Sequence, residues 1–117
     1  MLENIGEMSE HLENGTQNLL KKKEYLKGFA SFAGEVMEPG ALDVKYKSQI
    51  AAAIALYAGC KHCMVHHIQE AVEAGATREE LIDAMGVAIL MGGGVVWASS
   101  ATFFQNAVEE LAIEPCK

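Results

Sequence analysis

Cys60 and Cys63 stand three residues apart, directly after Gly59, and His67 follows four residues further on. In a chain without a disulfide framework, a Cys-x-x-Cys pair usually does redox chemistry or holds a metal. On a helix, at about 100° per residue, Cys60, Cys63 and His67 share a wedge of roughly 60°. Cys63 and His67 are one turn apart, close enough for their side chains to approach. With Gly59 as a break, both cysteines fall in the first helical turn. There the unpaired backbone N–H groups and the positive end of the helix dipole favour a thiolate. A free thiol of pKa about 8.5 is only a few per cent ionised at pH 7, and each unit of depression raises that fraction nearly tenfold until it saturates. A second thiol three residues away can resolve what the first forms, closing a disulfide without large motion.

Three other readings compete. Buried cysteines often serve only as small apolar residues. Zinc is a second possibility, since His62, His66 and His67 offer ring nitrogens. A structural zinc site draws four converging ligands, commonly from two separated pairs, and no second Cys or His pair lies downstream. His62 and His66 point away from the Cys60–Cys63–His67 wedge, although they lie one turn from each other. A c-type haem site needs histidine directly after the second cysteine, where Met64 stands. Met91-Gly92-Gly93-Gly94 follows a helical pattern and not a strand, which excludes a phosphate loop. Met85 and Met91 read as core filler. His11 has no neighbours in sequence that suggest a role, and Cys116 reads as a bystander.

The elements that must position these residues are helical throughout. No stretch keeps a two-residue alternation. Tyr25, Phe29, Phe32, Ala33 and Val36 trace one face of a helix that Glu38-Pro39-Gly40 ends. Asp43 caps the next, through Ile50, Ala51, Ile54, Ala55 and Ala58 to Gly59. A third runs from about Cys60 to Gly75, a position suited to a left-handed C-cap. Thr77-Arg78-Glu79-Glu80 is a capping box that opens a helix through Leu81, Met85, Ala88 and Ile89 to the glycine triplet. A last helix carries Val96, Phe103, Ala107 and Leu111. Residues 1–20 are weakly amphipathic and read as a loose, peripheral or partner-dependent helix.

The chain has 117 residues, half of them hydrophobic, and a formal charge of −7. That size suits one domain, residues 1–117, with a real core. The acidic balance and the lack of a basic patch exclude a nucleic-acid binder. The first 30 residues have no apolar signal region, which makes a reducing, cytoplasmic setting the default. Residues 84–104 form a 21-residue run without charge. The glycine triplet and the absence of flanking Lys or Arg argue against a membrane span and for two buried helices meeting at a glycine break. So much apolar sequence in a thin subunit predicts a closed homo-oligomer, with Trp97 and the small residues around it at the contacts.

These residues resemble a known family. Leu42-Asp43-x-Lys45-x-Lys47, then Cys60-x-His62-Cys63-x-x-x-His67, then Ala74-Gly75-Ala76-Thr77-Arg78-Glu79-Glu80-Leu81 are similar to the carboxymuconolactone decarboxylase superfamily, in particular its alkyl hydroperoxidase D (AhpD)-like branch. The resemblance spans about 70 residues, Leu42 to Leu111. It implies an all-α, AhpD-like helical domain assembling into a ring-like homo-oligomer, a trimer or hexamer, and thiol peroxidase and disulfide reductase activity. It implies that Cys63 attacks peroxide, Cys60 resolves the product, and His67 belongs to a proton relay. That branch carries a relay glutamate twelve residues before the first cysteine, where this chain has Ser48, followed by Gln49. A hydroxyl can hydrogen-bond but cannot take up a proton near neutral pH. Glu35 and Glu38, on the preceding helix, are the candidates to supply the carboxylate, with His62 and Ser48 as further relay positions.

The function so read is a thiol-dependent peroxidase or disulfide oxidoreductase. Its partners are a hydroperoxide or disulfide substrate and an external dithiol reductant, with no bound cofactor, no metal, no nucleic acid and no membrane. The alternatives are a lactone decarboxylase-type enzyme and a non-catalytic helical oligomer or metal-binding module.

Overall fold

A computed structural model describes residues 3–113, so Cys116 lies outside the described residues. They are all-helical, without a strand. In order they form α1 (Ile5–Leu20), α2 (Leu26–Met37), α3 (Val44–Ala58), α4 (Lys61–Glu73), α5 (Arg78–Gly92) and α6 (Gly94–Ser99). A π-helical turn (Ser100–Phe104) then leads directly into α7 (Gln105–Leu111).

Local chemistry accounts for most of the boundaries. Asp43 accepts the Tyr46 N–H at 3.1 Å and starts α3, as an Asp N-cap should. Gly59, at φ +78°, ends it in the left-handed region that glycine occupies without steric cost. Thr77 and Glu80 form a complete capping box on α5: the Glu80 N–H donates to Thr77 Oγ1 at 3.2 Å, and the Thr77 N–H donates to Glu80 Oε1 at 3.0 Å. The family-like lysines are structural anchors. Lys47 Nζ donates to the carbonyls of Val36 and Glu38, closing the end of α2. Lys45 Nζ pairs with Glu80 at 2.9 Å, tying α3 to α5.

The core lies between α3, α4, α5 and the C-terminal helical run. Met64, Val65, Ile68 and Ala71 are the inner face of α4 and are almost wholly buried, with Leu56, Leu81, Phe103 and Phe104 against them. Each such large side chain contributes about 1.5–3 kcal/mol on burial. The expected pattern of Val96, Phe103 and Ala107 on one face of the last helical run is present, with Leu111 half-buried at its edge.

Three expectations need correction. The apolar face of α2 does not pack into a core: no residue of α2 is buried, and Tyr25, Phe29, Phe32 and Val36 are exposed. The two helices meeting at the glycine break do so at Gly93, φ +68°. Within the uncharged run they are buried only at Ala88 and Val96 and then in the π turn, whereas Val87, Leu90, Met91, Val95 and Trp97 are exposed. Met91 is therefore not core filler, although the half-buried Met85 does pack against the core. Finally, α1 is a 16-residue helix docked on α4. Asn4 caps it, Ile5 is buried, Ser9 Oγ donates to Gln69 Oε1 at 3.0 Å, and Glu3 pairs with Lys61 at 2.5 Å. No helix among the described residues is long and apolar enough to cross a membrane.

Candidate active site

Cys60 is the N-cap of α4 and not part of its first turn: its backbone is extended, at φ −94° and ψ 99°, and its Sγ accepts the Cys63 N–H at 3.2 Å. Cys63 is the third residue of α4, among N–H groups that have no helical partner of their own. The two sulfurs are joined as a disulfide, with Cα atoms 5.2 Å apart. Both cysteines are half-buried, so the pair is at once supported by the core and reachable from outside.

Along α4, Cys63, His67 and Glu70 follow at four and then three residues, a stripe beside the buried inner face. His67 Nδ1 lies 3.0 Å from Glu70 Oε1. The same oxygen accepts the Ser48 hydroxyl at 3.2 Å, and Ser48 is fully buried on α3. Hairpin register explains the meeting. Ser48 stands eleven residues before Gly59 and Glu70 eleven residues after it. At 1.5 Å per helical residue both lie about 16 Å from the turn, at the same height of the α3–α4 pair. An ionised Glu70 as acceptor places the proton on His67 Nδ1 and leaves Nε2 as the basic nitrogen.

Glu70 is the residue that the sequence reading missed. The expected carboxylates do not take this place: Glu35 and Glu38 are exposed at the end of α2, and Glu38 is engaged through its backbone carbonyl, by Lys47. The available signal was the i, i+3 spacing of His67 and Glu70 within one helix. His62 turns to α1, where its ring meets His11 edge-on with centroids 5.8 Å apart, so His11 does have a partner. His66 is exposed and packs edge-on against His67 at 4.9 Å. Beside it opens a cleft of about 870 Å³ between α1, α2 and α4, with Leu12, Leu19 and Phe29 among its apolar walls and His66, Gln69 and Glu70 on its polar side.

The profile of the carboxymuconolactone decarboxylase family matches residues 23–105, from before α2 to the start of α7. This chain belongs to that family. Two uncharacterized relatives are each 36% identical to it: a Cupriavidus necator protein over 73 residues (61% of this chain) and a Paracoccus denitrificans protein encoded in a cox locus over 70 (60% of this chain). The matches span 65% and 63% of those proteins' own lengths. A solved family protein from Legionella pneumophila superposes with a TM-score of 0.85 at 34% identity, covering 93% of this chain and 97% of its own. A second, from Thermotoga maritima, is described as a candidate for a role in an antioxidative response. It superposes with a TM-score of 0.82 at 26% identity over 90% of this chain and 89% of its own. As a member of the carboxymuconolactone decarboxylase family, this chain combines the all-helical frame with a Cys60–Cys63 pair at the mouth of α4.

Proposed function

We propose that this chain is a thiol-dependent oxidoreductase that reduces hydroperoxides, or a partner's disulfide, through Cys60 and Cys63. The observation that carries the reading is the redox-capable pair at the start of α4, one turn before a histidine bonded to a carboxylate. In the reduced enzyme the Cys63 thiolate attacks the terminal peroxide oxygen. The O–O bond breaks, the sulfur becomes a sulfenic acid, and the alkoxide leaves with a proton from the relay. The Cys60 thiol then displaces hydroxide from that sulfenic acid, giving the disulfide and water. An external dithiol reduces the disulfide by exchange and departs oxidised.

Glu70 supplies the relay carboxylate that Ser48 cannot. The carboxylate has crossed the α3–α4 hairpin: an acid on α4 and a hydroxyl on α3 occupy the height where the resemblance expects an acid on α3. The Glu70–Ser48 bond orients the acid, the acid orients His67, and His67 takes up or returns the proton at Cys63.

Thiol counting on the reduced protein is the direct test. Stoichiometric peroxide is expected to remove two of the three thiols per chain. Cys63→Ser is expected to abolish turnover, and Cys60→Ser to stall as a sulfenic acid trapped by a dimedone-type reagent. Peroxide that consumes no thiols of the Cys60–Cys63 pair would overturn the reading.

A further inference from the structure

We propose that His66, His67 and Glu70 form a second device on α4, overlapping the relay: an open three-ligand site for a divalent metal ion, with zinc the best-matched ion. Their ligating atoms all lie within 4.8 Å of one another. Tetrahedral zinc with bonds of ~2.0–2.1 Å sets its ligand atoms about 3.3 Å apart. His67 Nδ1 and Glu70 Oε1 already stand at 3.0 Å, and the exposed ring of His66 has the freedom to close the rest. Two imidazoles and one carboxylate is a donor set and ligand count of open zinc sites, in which solvent or a small ligand completes the coordination. The surroundings fit. The buried Ser48 hydroxyl donates to the Glu70 Oε1 oxygen and fixes the carboxylate, as second-shell donors do for metal-binding acids. His66 and Glu70 both face the cleft between α1, α2 and α4, which gives the ion an entry path and leaves one coordination position open.

The site shares two residues with the relay, so a consequence follows that rests on the proposed function. A metal on His67 occupies one ring nitrogen and pins the proton to the other, and the imidazole can no longer pass a proton through. Metal-bound and relay-competent states then exclude each other, which makes the ion an inhibitor of peroxide turnover.

The test is a titration of zinc into the metal-free, disulfide-bonded protein, so that no thiolate of the Cys60–Cys63 pair competes, followed by calorimetry. One zinc per chain with micromolar or tighter affinity is expected. His66→Ala and Glu70→Gln are each expected to weaken binding by about tenfold or more, while His11→Ala leaves it unchanged. Cobalt(II) is expected to give the visible bands of a four- or five-coordinate nitrogen–oxygen site without thiolate charge transfer. Absence of saturable binding, or equal binding by His66→Ala, would overturn the site. Zinc binding at this site without loss of peroxide turnover in the reduced enzyme would instead keep the site and remove the relay role of His67.

Discussion

Glu70 concentrates the chemistry of α4 on one oxygen atom, which accepts from Ser48 and meets His67. If it is the relay acid, Glu70→Gln keeps the shape and removes the charge, and peroxide turnover is expected to fall by about 10²-fold, the usual scale of general acid–base assistance. Ser48→Glu alone sets a second carboxylate beside the first in a buried position. Like charges at that distance force one acid to stay protonated, so the rate at neutral pH is expected to drop or stay flat. The double exchange Ser48→Glu with Glu70→Ser returns the acid to α3 at the same height and is expected to recover much of the loss. Steady-state rates for the four proteins check this. Equal rates in all of them would mean that no carboxylate assists His67.

At the scale of elements, the helices are held by side chains near their ends. Glu80 caps α5 and pairs with Lys45, and these contacts hold its carboxyl at about 2, below the usual carboxylate range. A depressed folded-state pKa contributes stability that is fully present above the unfolded value, near 4.5, and is lost as pH falls through that window toward 2. Glu80→Gln retains a capping side chain but not the charge. It is expected to flatten the acid limb of a denaturation series across that window, with added salt acting in the same direction on the parent. The junction of α5 with α6 depends on close approach. A Cβ on Gly92 would stand 2.1 Å from Val96 Cγ2 and 3.3 Å from the Tyr57 ring. Gly92→Ala is therefore expected to destabilise by about 1–3 kcal/mol through overpacking. Gly15→Ala, with open space around it on α1, is expected to be neutral or to gain up to about 1 kcal/mol of helix propensity. Chemical denaturation of both variants makes the comparison.

The whole molecule leaves an unusual amount of apolar surface uncovered. Phe29 is 74% exposed, Leu90 80%, Val95 79% and Trp97 64%. They lie on α2 and around the α5–α6 junction, and monomeric proteins rarely leave large contiguous apolar patches in water. A closed homo-oligomer that covers these faces remains the expectation. Sedimentation at micromolar concentration is expected to give a mass well above 12.6 kDa, and Leu90→Glu or Val95→Glu to shift it downward while red-shifting Trp97 emission. A parent protein sedimenting as the 12.6 kDa chain would refute this.

How much was legible follows from the range of the forces involved. Caps, a left-handed glycine and a capping box act within four or five residues, so Asp43, Gly59 and Thr77–Glu80 marked their helix ends in the sequence alone. The Cys60–Cys63–His67 grouping was visible for the same reason: it lies within eight residues of one helix start. Hydrophobic periodicity identified the helices but could not say which apolar faces meet protein and which meet water, because α2 and the inner face of α4 carry the same kind of residue. Only the tertiary structure separated Phe29 from Ile68. It likewise decided which carboxylate meets Ser48 and His67. Ser48 and Glu70 are 22 residues apart, and what brings them level is the turn at Gly59 together with the packing of α3 on α4. Glu35 and Glu38 are nearer in sequence to Ser48 than Glu70 is, but they lie at the exposed end of a helix that the core does not hold.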